Sequence, residues 1–242
     1  MNLIIDVGNT YIKLALYSKT RLYKKKVVTY REFQNGVLDL LKKHTSINKA
    51  IISSVGRLKK SQLTKLKNAI NVLELDSTTK VSFKNCYKTP KTLGVDRIAL
   101  VAASAHQFPD NNVLIIDAGT CITYDFINTK NEYLGGAISP GIRLRYKTLN
   151  NLTANLPLLE TKAPKLLIGN STATSIHSGV VNGVVKEING IVKEYKTNYS
   201  DLTIILTGGD AKFLSKRLKS GIFANSNFLL EGLNHILEYN SK

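Results

Sequence analysis

The chain lacks most of what would mark a secreted, metal-bound or membrane protein. Its 242 residues include no tryptophan, five prolines and two cysteines. Cys86 and Cys121 stand alone without a Cys-x-x-Cys pair, and His44, His106, His177 and His235 are scattered. That pattern excludes a disulfide framework and a zinc site of ordinary spacing. The longest uncharged run, 166–185, is rich in Ser, Thr, Asn and Gly and contains His177, which makes it a poor membrane span. The first residues reach a carboxylate at Asp6 without a basic segment, so no secretory signal is expected. Neither Gly-x-x-x-x-Gly-Lys-Ser/Thr nor Gly-x-Gly-x-x-Gly occurs, and the P-loop and dinucleotide readings fail with them. A cytoplasmic protein with reduced thiols and no membrane partner is expected.

Acidic side chains are also scarce: 17 Asp and Glu stand against 34 Lys and Arg, a formal charge of +17. Only seven of those cations are arginine, and the lysines are spread along helix faces, as at Lys42, Lys43, Lys59, Lys60, Lys65 and Lys67. Nucleic-acid readers lean on the bidentate guanidinium fork, and no RRM, KH or zinc-finger signature is present. A nucleic-acid partner is therefore not expected. Attraction of a small anionic substrate is a simpler use of the charge.

What the chain does have is hydrophobic residues, at 43%, and an internal repeat. Residues 3–10 read LIIDVGNT and residues 114–120 read LIIDAGT. Each is an apolar run ending in Asp-x-Gly with a threonine close behind. Each then enters a second strand-like run, Tyr11–Tyr17 and Cys121–Ile127, which predicts a hairpin with a tight glycine turn.

The continuation also repeats. The first half predicts a strand over 23–30, a helix over 31–44 with Phe33, Val37, Leu40 and Leu41 on one face, and a strand over 49–55. A helix near 60–70 and a strand over 71–75 follow. The second half predicts a strand over 133–138 and a long helix over 174–195. Then come a strand over 201–207, a helix over 212–218, a strand near 227–230 and a closing helix over 232–239. This order, occurring twice, is the duplicated actin-like (ribonuclease H-like) α/β pattern, with two domains and a cleft between them. The loop-like stretch His106–Pro109 places the boundary near residue 110, giving domains 1–110 and 111–242.

The turns carry the candidate chemistry. Gly8 and Gly119 permit close backbone approach to phosphate, and Thr10 and Thr120 offer hydroxyls. Asp6 and Asp117 end their strands where magnesium or its waters would be held. Lys13, three residues past Thr10, supplies a point charge for a phosphate. A third turn, Thr207-Gly208-Gly209-Asp210, has bare glycines that suit either a flat adenosine or an ordinary strand-to-helix turn. In Gly94-Val95-Asp96-Arg97, at the head of a helix over 98–106, Asp96 is either a cap or, beside Arg97, the base that takes a proton from an alcohol.

These residues resemble a known family. The segments Asp6-Val7-Gly8-Asn9-Thr10 with Lys13, Tyr87-x-x-Pro90-x-x-Leu93-Gly94-Val95-Asp96-Arg97 and Asp117-Ala118-Gly119-Thr120 occur in the order seen in type III pantothenate kinases. So do Gly135-Gly136-x-Ile138-x-Pro140-Gly141 and Thr207-Gly208-Gly209-Asp210. The resemblance implies ATP-dependent phosphorylation of pantothenate to 4'-phosphopantothenate, the first step towards coenzyme A. It implies that Asp6, Val7, Gly8, Asn9, Thr10, Lys13 and Thr120 bind ATP, with Asp6 on Mg²⁺, directly or through water. It implies Asp96 as proton acceptor and Tyr87, Gly94, Val95, Asp96, Arg97 and Thr172 around pantothenate. It also implies a monovalent cation, K⁺ or ammonium, at Asp117, and a homodimer. Cys121 stands where a small residue such as alanine is expected, and is small enough to be tolerated.

Two alternatives stay open: another small-molecule kinase of the same superfamily, and a non-catalytic actin-like regulator resembling transcription accessory factors. The joint presence of Asp6, Asp96, Arg97 and Asp117 argues against the second.

Overall fold

The computed structural model describes residues 1–56, 58–218 and 221–241. The chain forms two compact units. The first comprises Met1–Asp110, Asn131–Leu134 and Asn227–Lys242, and the second Asn111–Lys130 and Gly135–Ser226.

The first unit opens with β1 (Asn2–Val7), β2 (Ile12–Ser18) and β3 (Arg21–Val28), then α1 (Phe33–Lys43), β4 (Lys49–Ser54), α2 (Lys60–Ala69) and β5 (Asn71–Glu74). Its sheet runs β3-β2-β1-β4-β5. β1 is antiparallel to β2 and parallel to β4. Strand β1 is buried along its whole length because both sheet faces are covered. Leu3, Ile5 and Val7 pack with Phe33, Val37 and Leu40 of α1 and Leu66 of α2. These α1 positions recur at the helical period, and they are the residues that bury. Ile4 and Asp6 alternate to the opposite face.

A short strand β6 (Lys84–Asn85) and α3 (Val95–Gln107) complete the first half. Ile98 to Ser104 are all buried, as expected of a helix covered on every side. The C-terminal helix lies against α3, β1 and β4. Gly232 makes the close approach possible: a Cβ there would sit 1.9 Å from the Ala99 carbonyl oxygen.

The second unit is built on β7 (Asn112–Ala118), β8 (Cys121–Ile127), β9 (Glu132–Pro140), β10 (Leu202–Thr207) and β11 (Phe223–Ala224), ordered β11-β10-β7-β8-β9. β9 begins in the first unit, where Glu132 and Tyr133 pair with β6. Helices α4 (Ile142–Asn151), α5 (Thr172–His177) and α6 (Gly183–Asn198) follow β9, and α7 (Ala211–Ser215) follows β10. Leu114, Ile116, Ile122 and Tyr124 meet Ile142, Val180, Val184 and Ile188 in one core.

Two expectations need correction. The long helix over 174–195 is interrupted, because Ser178–Asn182 forms a π turn between α5 and α6. Residues 227–230 are not a strand; they open the last helix, α8 (Phe228–Tyr239), while the edge strand is Phe223–Ala224. A short apolar run fits either element, and here its neighbours Leu233, Ile236 and Leu237 carry it into a helical stripe.

Candidate active site

The register of the two sheets repeats. In the first, Asp6 on β1 stands opposite Lys13 on β2 and Ser53 on β4. In the second, Asp117 on β7 stands opposite Thr123 on β8 and Thr207 on β10. In-register neighbours share a sheet face, so each aspartate lies in the middle of a three-residue row. The first row is cation, carboxylate, hydroxyl; the second is hydroxyl, carboxylate, hydroxyl. Asp6 is buried, and Lys13 Nζ donates to its Oδ2 at 3.0 Å.

The turns below these rows are closed by their own backbone. Gly8 N–H donates to Tyr11 O at 3.1 Å and Gly119 N–H to Cys121 O at 2.9 Å. The glycines therefore keep the turns tight, and their N–H groups already have partners. The turns present to solvent the side chains of Asn9, Thr10, Tyr11 and Thr120. Val7 is buried in the α1–α2 core, so its contribution is positional.

The second turn is wedged between two further glycine elements. Gly141 N–H donates to Thr120 O at 3.0 Å, and a Cβ on Gly141 would lie 2.1 Å from Gly119 O. On the other side Gly208 adopts φ +95°, and a Cβ there would lie 2.4 Å from Asp117 Oδ1. Asp210 N–H donates to Ala118 O at 2.9 Å. Burial raises the Asp210 carboxyl above its ordinary range, with Arg143 partly opposing the shift.

Arg145, which motif reading missed, anchors the strand leading to Gly141. Its Nε donates to Pro140 O at 2.9 Å, and its guanidinium also donates to Ser139 Oγ and to Glu187. Tyr124 donates to the other Glu187 oxygen at 2.9 Å. Burial alone would raise the Glu187 carboxyl, but these hydrogen bonds and the Arg145 charge hold it below its usual value. Nothing in the local sequence signalled this network, because Tyr124, Arg145 and Glu187 lie 21 to 63 residues apart and meet only in the fold.

Of the remaining predicted residues, all but Thr172 lie in the first unit. Gly94 is the N-cap of α3, which places Asp96 in its first turn. Asp96 Oδ1 accepts from Arg97 N–H at 2.8 Å. Arg97 is 5% exposed and its guanidinium carbon lies 5.5 Å from the centre of the Tyr87 ring. Tyr87 stacks on Tyr133 with ring centres 6.0 Å apart. Tyr133 was missed because it enters this cluster only through the β6–β9 pairing. Thr172 is exposed in the first turn of α5 in the second unit.

Among the described residues no cluster of three or more His, Cys, Asp or Glu side chains suits a metal. Magnesium, which is commonly held by one or two carboxylates together with substrate phosphates, fits a lone Asp6 better than a protein-only cage would. No described helix is long and apolar enough to cross a membrane.

Two sheets with the same three-strand register, each with an aspartate near the end of its first strand, make an actin-like fold. The architecture matches a glucokinase from an Antarctic psychrotroph, with a TM-score of 0.52, 13% identity and 98% of each chain covered. A Baf family protein of Campylobacter jejuni gives a TM-score of 0.64 at 22% identity, covering 99% of this chain and 98% of that one. The type III pantothenate kinase family profile matches residues 2–194. A type III pantothenate kinase of Christiangramia forsetii is 53% identical over 240 residues, 99% of each chain. The chain belongs to the type III pantothenate kinase family.

Proposed function

We propose that this enzyme transfers the terminal phosphoryl group of ATP to the primary hydroxyl of pantothenate, giving 4'-phosphopantothenate for coenzyme A synthesis. The observation that carries the reading is the pair of register rows, Lys13–Asp6–Ser53 and Thr123–Asp117–Thr207. Phosphoryl transfer depends mainly on positioned charge, and each row presents a carboxylate at the base of a turn tipped by Asn9 and Thr10 or by Thr120. Asp6, Val7, Gly8, Asn9, Thr10, Lys13 and Thr120 serve ATP. Magnesium, held through Asp6 and the phosphates, neutralises charge on the transferred group. Lys13 adds a point charge. Asp96 accepts the alcohol proton. Arg97, set against Tyr87, suits the pantothenate carboxylate, with Gly94, Val95 and Thr172 completing the substrate set. The halves of the duplication, 1–110 and 111–242, carry one row each, and the protein works in the cytoplasm, where its nucleotide substrate is.

Asp117 is the proposed seat of a monovalent cation. Its row neighbours are threonines, whereas Asp6 has an ammonium beside it. A coupled ADP-release assay with pantothenate, run in Na⁺, K⁺ and ammonium salts at fixed ionic strength, tests both points. Pantothenate-dependent ADP release several-fold faster in K⁺ or ammonium is expected. Release without pantothenate dependence overturns the substrate assignment, and equal rates in all three salts overturn the cation.

A homodimer is the proposed assembly. Most of the apolar positions expected on the long helix, including Ile176, Val180, Val184, Ile188 and Val192, are buried in the second unit's own core. One run of consecutive exposed apolar residues, Leu166, Leu167 and Ile168, at 72, 74 and 82%, stands just before Thr172. A patch of that kind is what a self-complementary two-fold contact covers. Light scattering should give about 53 kDa, twice the 26.7 kDa chain. Mixed Asp96→Asn and Thr172→Val subunits should regain activity if each site is shared. A fully active monomer refutes the dimer, and a dimer without complementation refutes the shared site.

A further inference from the structure

The first register row contains a hydroxyl that motif reading did not assign. Lys13, Asp6 and Ser53 lie side by side on β2, β1 and β4. Adjacent strands run about 4.8 Å apart, so Ser53 and Asp6 are side-by-side neighbours on one sheet face. Ser53 is 0% exposed, and among the described residues its Oγ has no hydrogen-bond partner. A buried hydroxyl without a partner is destabilising, and each such group in a folded protein calls for an explanation.

The row supplies one. Lys13 pairs with Asp6 Oδ2, yet its side chain keeps 38% of its surface open to solvent, while that of Asp6 keeps 7%. The lysine is thus the partner that reaches solvent and the carboxylate the enclosed one. When the ammonium turns to a phosphate, the carboxylate loses its ion pair in a nearly dry place. We propose that Ser53 is a positioning residue for Asp6: its hydroxyl donates to the carboxylate as Lys13 leaves, and so holds Asp6 in its working orientation. The proposal rests on the reading of Asp6 and Lys13 as phosphate-side residues.

In the second sheet the equivalent position holds a larger hydroxyl side chain. Thr207 stands at the equivalent place beside Asp117 and is also buried. The partner opposite Lys13 in the duplication is Thr123, which has no charge to release. The exchange of partners is therefore confined to the first row.

The test compares Ser53→Ala and Ser53→Thr with the unmodified enzyme. Calorimetric titration with a non-hydrolysable ATP analogue is done with and without Mg²⁺, beside steady-state rates and melting curves. A hydrogen bond to a charged group is the interaction at stake. Ser53→Ala is expected to weaken Mg²⁺-dependent analogue binding about tenfold and to raise the Mg²⁺ and ATP concentrations for half-maximal rate by a similar factor. The pantothenate KM should stay unchanged, and the ligand-free melting temperature should stay unchanged or rise. Ser53→Thr should restore binding. The proposal is overturned if Ser53→Ala binds the analogue normally. It is also overturned if both variants lose binding equally, or if the alanine variant simply melts earlier with every parameter reduced. Asp6→Asn, measured in parallel, separates the two levels. Full activity in that variant removes the underlying reading of Asp6, whereas a dead Asp6→Asn beside a normal Ser53→Ala removes Ser53 alone.

Discussion

Asp96→Asn should lower turnover by about 10²-fold or more while leaving ATP binding intact. The substitution is unusually clean at this position. Asp96 occupies the first turn of α3, and its Oδ1 accepts from the Arg97 N–H at 2.8 Å. An asparagine carbonyl accepts the same bond, so the turn and the buried Arg97 beneath it are preserved. What is lost is the negative charge and the capacity to accept a proton. The N-cap of α3 is Gly94, so a merely structural role for Asp96 is its first-turn bond from the Arg97 N–H, which asparagine keeps, and that role predicts little change. The two readings left open by the sequence therefore give opposite outcomes. Steady-state rates at saturating substrate, with calorimetry on a non-hydrolysable ATP analogue, decide between them. Turnover near that of the unmodified enzyme would remove Asp96 from the chemistry.

How much of this was legible in the sequence depends on the range of the interactions. Asp6 and Asp117 could be read because each ends an apolar strand just before a glycine turn, a signal contained in about eight residues. The hairpin partners Lys13 and Thr123 follow from the same turns. Ser53 and Thr207 could not be read in this way. They join their rows through parallel pairing of β4 on β1 and β10 on β7, at sequence separations of 47 and 90. The register of such a pair is set by whole-sheet packing and not by any local residue choice.

The helical errors have a similar origin. The apolar positions Ile176, Val180, Val184, Ile188 and Val192 keep a spacing of four residues straight through the π turn, so no break in the pattern marks it. The start of α8 was hidden because 227–230 is a short apolar run. Its identity is settled by packing on α3, where Gly232 lets the backbones meet. The Tyr87–Tyr133 stack depends on a two-residue strand, too short to leave a periodic trace.

Gly208→Ala should be strongly disruptive in the second unit. Gly208 has φ +95°, a conformation that L side chains rarely adopt. The added Cβ would also lie 2.3 Å from the Ala118 carbonyl oxygen and 2.4 Å from Asp117 Oδ1. Neither neighbour can move cheaply. The carbonyl accepts the Asp210 N–H, and Ala118 itself is fully buried against the α6 core. Backbone strain and overpacking together should cost about 2–4 kcal/mol. The carboxylate of Asp117 should also be pushed out of its row, with a loss of about 10²-fold in kcat/KM for ATP. Gly209→Ala is the matched control, since a Cβ there meets nothing within 4 Å and its φ is not in the left-handed range. That variant should keep its stability to within about 0.5 kcal/mol. If adenosine lies against this turn, the same methyl should raise the ATP KM while leaving the melting temperature alone. Denaturant melts and ATP kinetics on the two variants separate the roles of the adjacent glycines. Equal stability in both would show that the turn relaxes around a Cβ, and the wedge holding Asp117 would then not be rigid.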